Sequence, residues 1–442
     1  MKNILLFGAG RSATTLIKYF LDKSYVENWQ LTVADTDAAL VKEKIGNHPN
    51  GIAVSLDIND AENRQHLIRD AAIVISMLPA SLHYLVAKDC VALKKNLCTA
   101  SYISDEIASL DEEAKRNGVL LMNECGLDPG IDHMSAMKII DALHHDGKKL
   151  KSFKSYCGGL VAPENNDNPW GYKFTWNPRN VIVAGQGTAR YIENKEYKYI
   201  PYNRLFTQTE LIEVAGHGFF EGYANRDSLS YRKHYGLENI PTMLRGTLRQ
   251  PGYCKAWDIF VRLGLTDDSF VVEHSDELTY AQLLQAFLPV QNSNLSISEQ
   301  LAAFYGVEQN DDAISKVLWT GIAEPVKTGL SNATPAMLLQ QLLEKKWKLN
   351  PGEKDMIVMQ HIFEYTGADN AITTLKSSLI VKGDDAVHTA MSKTVGLPLA
   401  ITAANILNGK INLKGVQLPV HPTVYQPVLK ELESFDIVFQ EQ

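Results

Sequence analysis

Six short, continuously apolar runs separated by amphipathic stretches fill residues 1–125 of this chain. The runs read as strands at Ile4–Phe7, Leu31–Ala34, Ile52–Leu56, Ile73–Met77, Leu97–Ala100 and Val119–Asn123. The stretches between them read as helices at Thr14–Leu21, Ala38–Lys44, Ala61–Arg69, Ser81–Leu93 and Asp105–Asn117. Strands that are apolar throughout, rather than alternating, are covered on both faces. Strand–helix repetition at this spacing predicts an α/β fold: a doubly wound parallel sheet with right-handed crossovers, the Rossmann arrangement.

The loop after the first run, Gly8-Ala9-Gly10-Arg11-Ser12-Ala13, fits G-x-G-x-x-A between a strand and a helix. The first glycine permits a tight turn, the second lets backbone approach a pyrophosphate, and Ala13 allows close helix packing. Free N–H groups at the helix start then face the phosphates. Asp35, 25 residues after Gly10, ends the second run, where an acid reaches the ribose hydroxyls of NAD. Against the 2′-phosphate of NADP it would be repelled by up to about 4 kcal/mol at ~4 Å and an effective dielectric of ~20. No Arg or Lys stands within four residues of it. The expectation is NAD rather than NADP, with Asp35 also able to cap the following helix. Thr36, Asp57 and Ile58, Met77 and Leu78, and Thr99 and Ala100 close the next strands and are the further cofactor candidates.

Composition narrows the function classes. A net charge of −8 without a Lys/Arg cluster argues against a nucleic-acid or anionic-membrane partner. No apolar run reaches membrane-spanning length, and the N-terminus lacks a signal-peptide pattern. A cytoplasmic protein is expected. Five cysteines, Cys90, Cys98, Cys125, Cys157 and Cys254, form no C-x-x-C pair, which argues against a zinc cage or a disulfide framework. His144-His145 reads as a solvated helix end and His133 as a helix-start or core residue; no metal is expected.

After residue 123 the texture changes. Phe153–Cys157, Val181–Ala184 and Gln208–Val214 read as strands of a second sheet, and Asp227 to Lys346 as mainly helical. Asp355–Tyr365 and Ile372–Val381 read as further strands. Thr389–Leu407 reads as a helix interrupted at Gly396-Leu397-Pro398.

Several segments here resemble saccharopine dehydrogenases. Gly126-Leu127-Asp128-Pro129-Gly130-Ile131-Asp132-His133 is similar to that family's GLDPGIDH, and Ser155-Tyr156-Cys157-Gly158-Gly159-Leu160 to its SYCGGL. Asn168–Trp176 resembles NPLGYKFSW, and Asn225–Ser228, Arg245–Arg249 and Thr394–Pro398 resemble further family segments. The resemblance implies NAD-dependent oxidation of the secondary amine of saccharopine to an imine. Hydrolysis then gives L-glutamate and 2-aminoadipate 6-semialdehyde, a step of lysine metabolism. It also implies a homodimer and three parts: residues 1–125 with 390–442 for the nucleotide, 126–225 with 350–389 for the substrate, and a mainly helical insert at 226–349. The active site is expected between the first two parts. Carboxynorspermidine dehydrogenases and homospermidine synthases, with related amine–imine chemistry, are the alternative within the enzyme class. A non-catalytic NAD-binding scaffold is the alternative outside it.

Saccharopine carries three carboxylates, which ask for guanidinium forks. Arg226 and Arg245 stand in the matching segments, with Thr247, Thr175 and Ser101 as hydroxyl partners and Arg232, Arg249 and Lys173 as weaker candidates. Asp128 can accept the amine proton or hold the substrate ammonium; equally, it can form a turn. Tyr102 can touch both substrate and nicotinamide. Cys157, before two glycines, is a third catalytic candidate on what reads as exposed, tightly turned backbone, with inert packing as its alternative.

Overall fold

The computed structural model describes residues 1–184, 186–289, 295–368 and 370–442. The apolar runs form β1 (Lys2–Phe7), β2 (Trp29–Asp35), β3 (Gly51–Ser55), β4 (Ile73–Ser76), β5 (Leu97–Thr99) and β6 (Leu120–Met122). Helices α1 (Thr14–Glu27), α2 (Ala38–Ile45), α3 (Ala61–Asp70) and α4 (His83–Ala92) connect the first five. The helix expected at Asp105–Asn117 is two, α5 (Asp105–Ala108) and α6 (Asp111–Asn117). Ser104 caps the first by accepting the Ile107 N–H, and Asp111, Glu112 and Glu113 open the second, where acids suit the helix dipole. Helix α7 (Ile131–His145) follows β6.

The chain then builds β7 (Lys149–Val161), α8 (Pro178–Ile182), β8 (Ala189–Glu193), β9 (Glu196–Ile200), α9 (Tyr202–Leu205), β10 (Thr209–Val214), β11 (Gly218–Ala224), α10 (Tyr231–His234) and β12 (Thr242–Arg249). Five helices follow: α11 (Tyr253–Leu263), α12 (Tyr280–Phe287), α13 (Ile297–Tyr305), α14 (Asp312–Trp319) and α15 (Pro335–Lys346). Strands β13 (Asp355–Thr366) and β14 (Ile372–Lys382) extend the second sheet, in which β10-β11-β12-β7-β13-β14 are successive neighbours and the β8–β9 hairpin lies on β12. Two of the segments just described, besides the divided Asp105–Asn117 helix, differ from the sequence reading. Val181 and Ile182 are helical, not extended, because Pro178 opens a helix and the Asn177 side chain accepts the Arg179 N–H. Strand β12 lies within the stretch read as mainly helical; it is buried on both faces, so its period-2 pattern carries no polar alternation.

The last segment returns to the first sheet as α16 (Ala390–Leu407), β15 (Gly415–Gln417) and α17 (Pro422–Leu432). The first sheet has the order β15-β6-β5-β4-β1-β2-β3, and every pairing is parallel. This is the doubly wound sheet read from the sequence. Its direction of winding reverses between β1 and β4, the crevice where such sheets hold ligands. Contacts divide the chain into two compact units, mainly Met1–Lys149 with Leu379–Glu441 and Leu150–Thr366 with Asn370–Ser378.

Helix α16 runs unbroken through Pro398, against the expected interruption. A proline inside a helix costs about 3 kcal/mol, and extensive burial of α16 offsets it. By length and composition α16 is apolar enough to cross a membrane, yet 83% of that window is buried inside the protein. The same helix presses on the glycine-rich loop. A Cβ on Gly396 would lie 2.9 Å from the Leu16 nitrogen and 3.2 Å from the Ser12 carbonyl oxygen. Gly396→Val is therefore expected to destabilise the fold by about 1–3 kcal/mol, as overpacking does, and to weaken nucleotide binding. Urea melts and nucleotide titration check this; an unchanged midpoint would contradict the close contact.

Candidate active site

The nucleotide candidates follow the carboxyl ends of adjacent strands, in the spatial order β3, β2, β1, β4, β5. At Gly8 φ is +96°, and a Cβ would meet the Met77 carbonyl oxygen at 2.8 Å, so only glycine lets this turn lie against the end of β4. The Gly8 N–H donates to the Ala34 carbonyl (2.9 Å) and the Met77 N–H to the Phe7 carbonyl (2.8 Å). At Gly10 a Cβ would meet nothing within 4 Å. That open backbone, at the mouth of the turn Arg11–Ala13 that leads into α1, fits the approach of a pyrophosphate. Ala9 and Ala13 are buried, Ser12 is half-buried and Arg11 is exposed.

Asp35 turns inward. Its Oδ2 accepts the Ala9 N–H (2.7 Å), and its Oδ1 accepts the Asp37 N–H (3.1 Å) and the Thr36 hydroxyl (3.3 Å). Capping of α2 falls to Asp37, which accepts the Ala39 and Leu40 N–H groups. Lys44, on α2, donates to the Gly10 carbonyl (2.6 Å) and Thr14 hydroxyl (2.9 Å). Burial lowers its pKa to about 8, against the opposing pull of Glu43 and Asp35. Asp57 is exposed and accepts the Asn59 N–H (2.9 Å), whereas Ile58 points into the hydrophobic core with Leu5, Phe7 and Val74. Met77 and Leu78 are half-buried.

The loops after β5 and β6 are laced together. The Cys125 N–H donates to the Thr99 carbonyl (3.0 Å) and the Glu124 N–H to the Ser101 carbonyl (3.1 Å). The buried Glu124 carboxylate accepts the Ile103 N–H (3.1 Å) at Oε1 and lies 2.8 Å from His133 Nε2 at Oε2. Thr99 is buried and its hydroxyl accepts the Ser101 N–H (3.2 Å), with Ala100 half-buried beside it. Gly126–Gly130 then folds on itself. The Gly126 N–H donates to the Pro129 carbonyl and the Ile131 N–H to the Gly126 carbonyl, both at 2.9 Å. A Cβ on Gly130, where φ is +148°, would fall 2.0 Å from the Gly126 carbonyl oxygen. The turn presents Asp128 half-buried, and the Tyr102 hydroxyl donates to its Oδ1 at 3.4 Å. Ser101, Tyr102 and Asp128 thus form one cluster.

The second unit gathers its own. Ser155 pairs with Arg245 and Cys157 with Thr247 in the parallel register of β7 and β12, so these four share one face of the sheet. The turn at 225–228 is clipped to Arg245: the Asn225 N–H donates to its carbonyl and its own N–H to the Ser228 hydroxyl, both at 2.8 Å. That sets the turn carrying Arg226 against the backbone of the buried Arg245, whose guanidinium lies 4.4 Å over the Tyr231 ring. Arg249, one step further along the face, is sealed between the rings of Tyr172 and Tyr253. Arg232 lies against the Tyr197 ring, at 5.4 Å.

Three features differ from the sequence reading. Cys157 is buried within β7 and not on an exposed turn; Gly158 follows it because a Cβ there would meet the Leu248 carbonyl oxygen at 2.6 Å. In Asn168–Trp176 the aromatics pack the core: Trp170 stacks on Phe260, and Tyr172 and Phe174 meet Trp347 edge-on. Thr175 is buried among them, and Lys173 is held by Asp167 and Glu353. His83, unremarked in the sequence, is buried with hydroxyls on both ring nitrogens. No sequence pattern signals this, because Ser76 ends β4 and Ser101 lies in the loop after β5, and only the sheet brings them to the two ring nitrogens.

The comparisons with known proteins agree across the chain. Residues 4–122 match the family model described as the saccharopine dehydrogenase NADP binding domain, and residues 126–437 the saccharopine dehydrogenase C-terminal domain. The Saccharomyces cerevisiae saccharopine dehydrogenase [NADP(+), L-glutamate-forming] is 32% identical over 98% of this chain and 97% of its own. Bos taurus mitochondrial alpha-aminoadipic semialdehyde synthase is 35% identical over the whole chain, which spans only 48% of that relative. The solved structure of apo histidine-tagged S. cerevisiae saccharopine dehydrogenase (L-Glu forming) superposes with a TM-score of 0.88, covering 100% of this chain and 99% of that one.

These names correct the expectation of NAD: both the domain description and the yeast enzyme specify NADP. The expectation treated Asp35 as a bare anion with no cation near it in sequence. In the structure three donors already satisfy its carboxylate, and Lys44, nine residues further along, lies close enough for the Asp35 charge to act on it.

Two consequences are measurable. Gly130→Ala should destabilise the fold by more than about 2 kcal/mol, since the new methyl overlaps backbone; a near-native melting midpoint would contradict the turn. Burial lowers the His83 pKa to about 4, below the unfolded value of about 6.5. Protonation then favours the unfolded chain, so stability is full above pH ~6.5 and about 3 kcal/mol is lost by pH ~4. Denaturant melts of the wild type and His83→Gln across that window should show a shallower loss in the variant. The chain belongs to the saccharopine dehydrogenase family.

Proposed function

We infer that this chain dehydrogenates saccharopine with NADP, breaking it into L-glutamate and 2-aminoadipate 6-semialdehyde. The observation that carries this reading is the likeness to the yeast enzyme over nearly the full length of both chains. The cluster of Ser101, Tyr102 and Asp128 supplies the chemistry the reaction asks of a protein. The bound nucleotide supplies the hydride acceptor. A secondary amine yields hydride only when unprotonated, and the Asp128 carboxylate, oriented by the Tyr102 hydroxyl, takes that proton at Oδ1 or Oδ2. The resulting imine is then open to water, with the same carboxyl as the proton carrier. Arg245 and Arg226 hold substrate carboxylates, and the Tyr231 ring under Arg245 fixes the plane of its fork. Cys157 and Thr247 lie on the same face of the second sheet as Arg245. The reading extends to a cytoplasmic homodimer, which light scattering checks.

One assay tests the core of this reading: saccharopine with NADP or NAD, following nicotinamide reduction. Turnover with a higher kcat/KM for NADP is expected. No turnover with either, or turnover of carboxynorspermidine instead, would overturn the substrate. Asp128→Asn should lower kcat by about 10²–10⁴-fold, the range of a lost general base, with little change in the KM for nucleotide. Arg245→Lys keeps the charge but loses the fork, and should raise the KM for saccharopine about tenfold.

A further inference from the structure

A line of hydrogen bonds runs behind the Ser101 hydroxyl. Ser76 Oγ lies 2.8 Å from His83 Nδ1, and His83 Nε2 lies 2.7 Å from Ser101 Oγ. Ser76 closes β4, His83 opens α4, and Ser101 sits in the loop after β5 beside Tyr102. Ser76 and His83 are fully buried, and burial alone drives the imidazole toward its neutral form.

A neutral imidazole has one N–H and one acceptor nitrogen, so the line can be polarised in two ways. In the first, the Ser76 hydroxyl donates to Nδ1, and Nε2–H donates to Ser101 Oγ. In the second, Nδ1–H donates to Ser76, and Ser101 donates to Nε2. The second leaves the Ser76 hydroxyl hydrogen buried with no acceptor among the described residues, because its contact with His83 is then spent on accepting. A buried donor without an acceptor loses its hydration for nothing in return. The first polarity satisfies both fully buried groups, Ser76 and His83, and leaves the hydrogen of the half-buried Ser101 facing away from His83.

We propose that His83 is a positioning residue: anchored by Ser76 as the Nε2–H tautomer, it occupies one lone pair of the Ser101 hydroxyl and frees its hydrogen to donate to a carboxylate oxygen of the substrate. This rests on the saccharopine reading for the identity of the acceptor, but the tautomer does not depend on it. One Ser101 lone pair is then spent on His83 Nε2–H, and a substrate carboxylate is met by the O–H hydrogen.

Two measurements decide the matter. The first is a double-mutant cycle on kcat/KM for saccharopine with His83→Phe, Ser101→Ala and the pair. Each single change is expected to cost about tenfold or more, the size of one hydrogen bond to a charged group, mainly through the KM for saccharopine. The double variant should lose no more than Ser101→Ala alone, and the KM for nucleotide should hold. Multiplying losses would show that His83 serves only the fold and would overturn the proposal. Ser76→Ala, a milder change, should reproduce part of the His83→Phe loss if that variant folds poorly. The second is ¹⁵N NMR of histidine-labelled wild type, with the His83 signals assigned by His83→Gln. A protonated Nε2 with a bare Nδ1 at pH 7 is expected; an Nδ1–H tautomer or an imidazolium would overturn the proposal whatever the activity. A wild type that ignores saccharopine refutes the substrate reading and, with it, the acceptor named here, while the tautomer result still stands or falls by itself.

Discussion

Every strand of the first sheet runs the same way, so each loop that follows a strand emerges on the same edge. That constraint organises the rest of the unit. The sequence places Gly8, Asp35, Asp57, Met77 and Ala100 far apart, yet adjacency of β3, β2, β1, β4 and β5 sets them in a row. The row works only because backbone can come close. Gly8 lies against the Met77 carbonyl, and Gly396 of α16 lies against the first turn of α1. A returning C-terminal helix thus holds the nucleotide loop from behind, and a proline within it is tolerated because the helix is held on all sides by packing.

The candidate catalytic cluster depends on the same edge. Two backbone hydrogen bonds tie the loop after β6 to the loop after β5, and the buried Glu124 carboxylate adds a third tie. Asp128 can therefore stand beside Tyr102 although the two are 26 positions apart in the sequence. The glycines at 126 and 130 serve this closure and not flexibility, since the turn leaves no room for a side chain at 130.

Much of the first unit was legible from local pattern. Continuous apolar runs reveal strands covered on both faces, and the Gly8–Ala13 loop was readable because its chemistry is local. Legibility failed where partners are distant. Nothing around Val181 distinguishes a strand from a short helix except Pro178 and the Asn177 cap. Strand β12 was hidden because both of its faces are buried, with arginines on one of them. The segment around Trp170 resembled a family motif, and what its aromatics do, packing the core, was not legible, because a run of aromatics reads alike whether it lines a pocket or fills an interior. Asp35 was misread for a related reason: its charge was weighed against nearby cations alone, whereas the structure gives its carboxylate donors from the Ala9, Asp37 and Thr36 groups.

By itself, the sequence determined the parallel α/β class, the nucleotide loop and the family, because these rest on period, spacing and contiguous residues. Only the tertiary structure decided which residues stand together: Tyr102 with Asp128, Ser228 with Arg245, and His83 between Ser76 and Ser101. It also decided what became of the charge on Asp35. The reason is physical. Secondary structure follows from interactions within a few residues, whereas hydrogen bonding and charge act across space between segments the chain brings together only when its core closes.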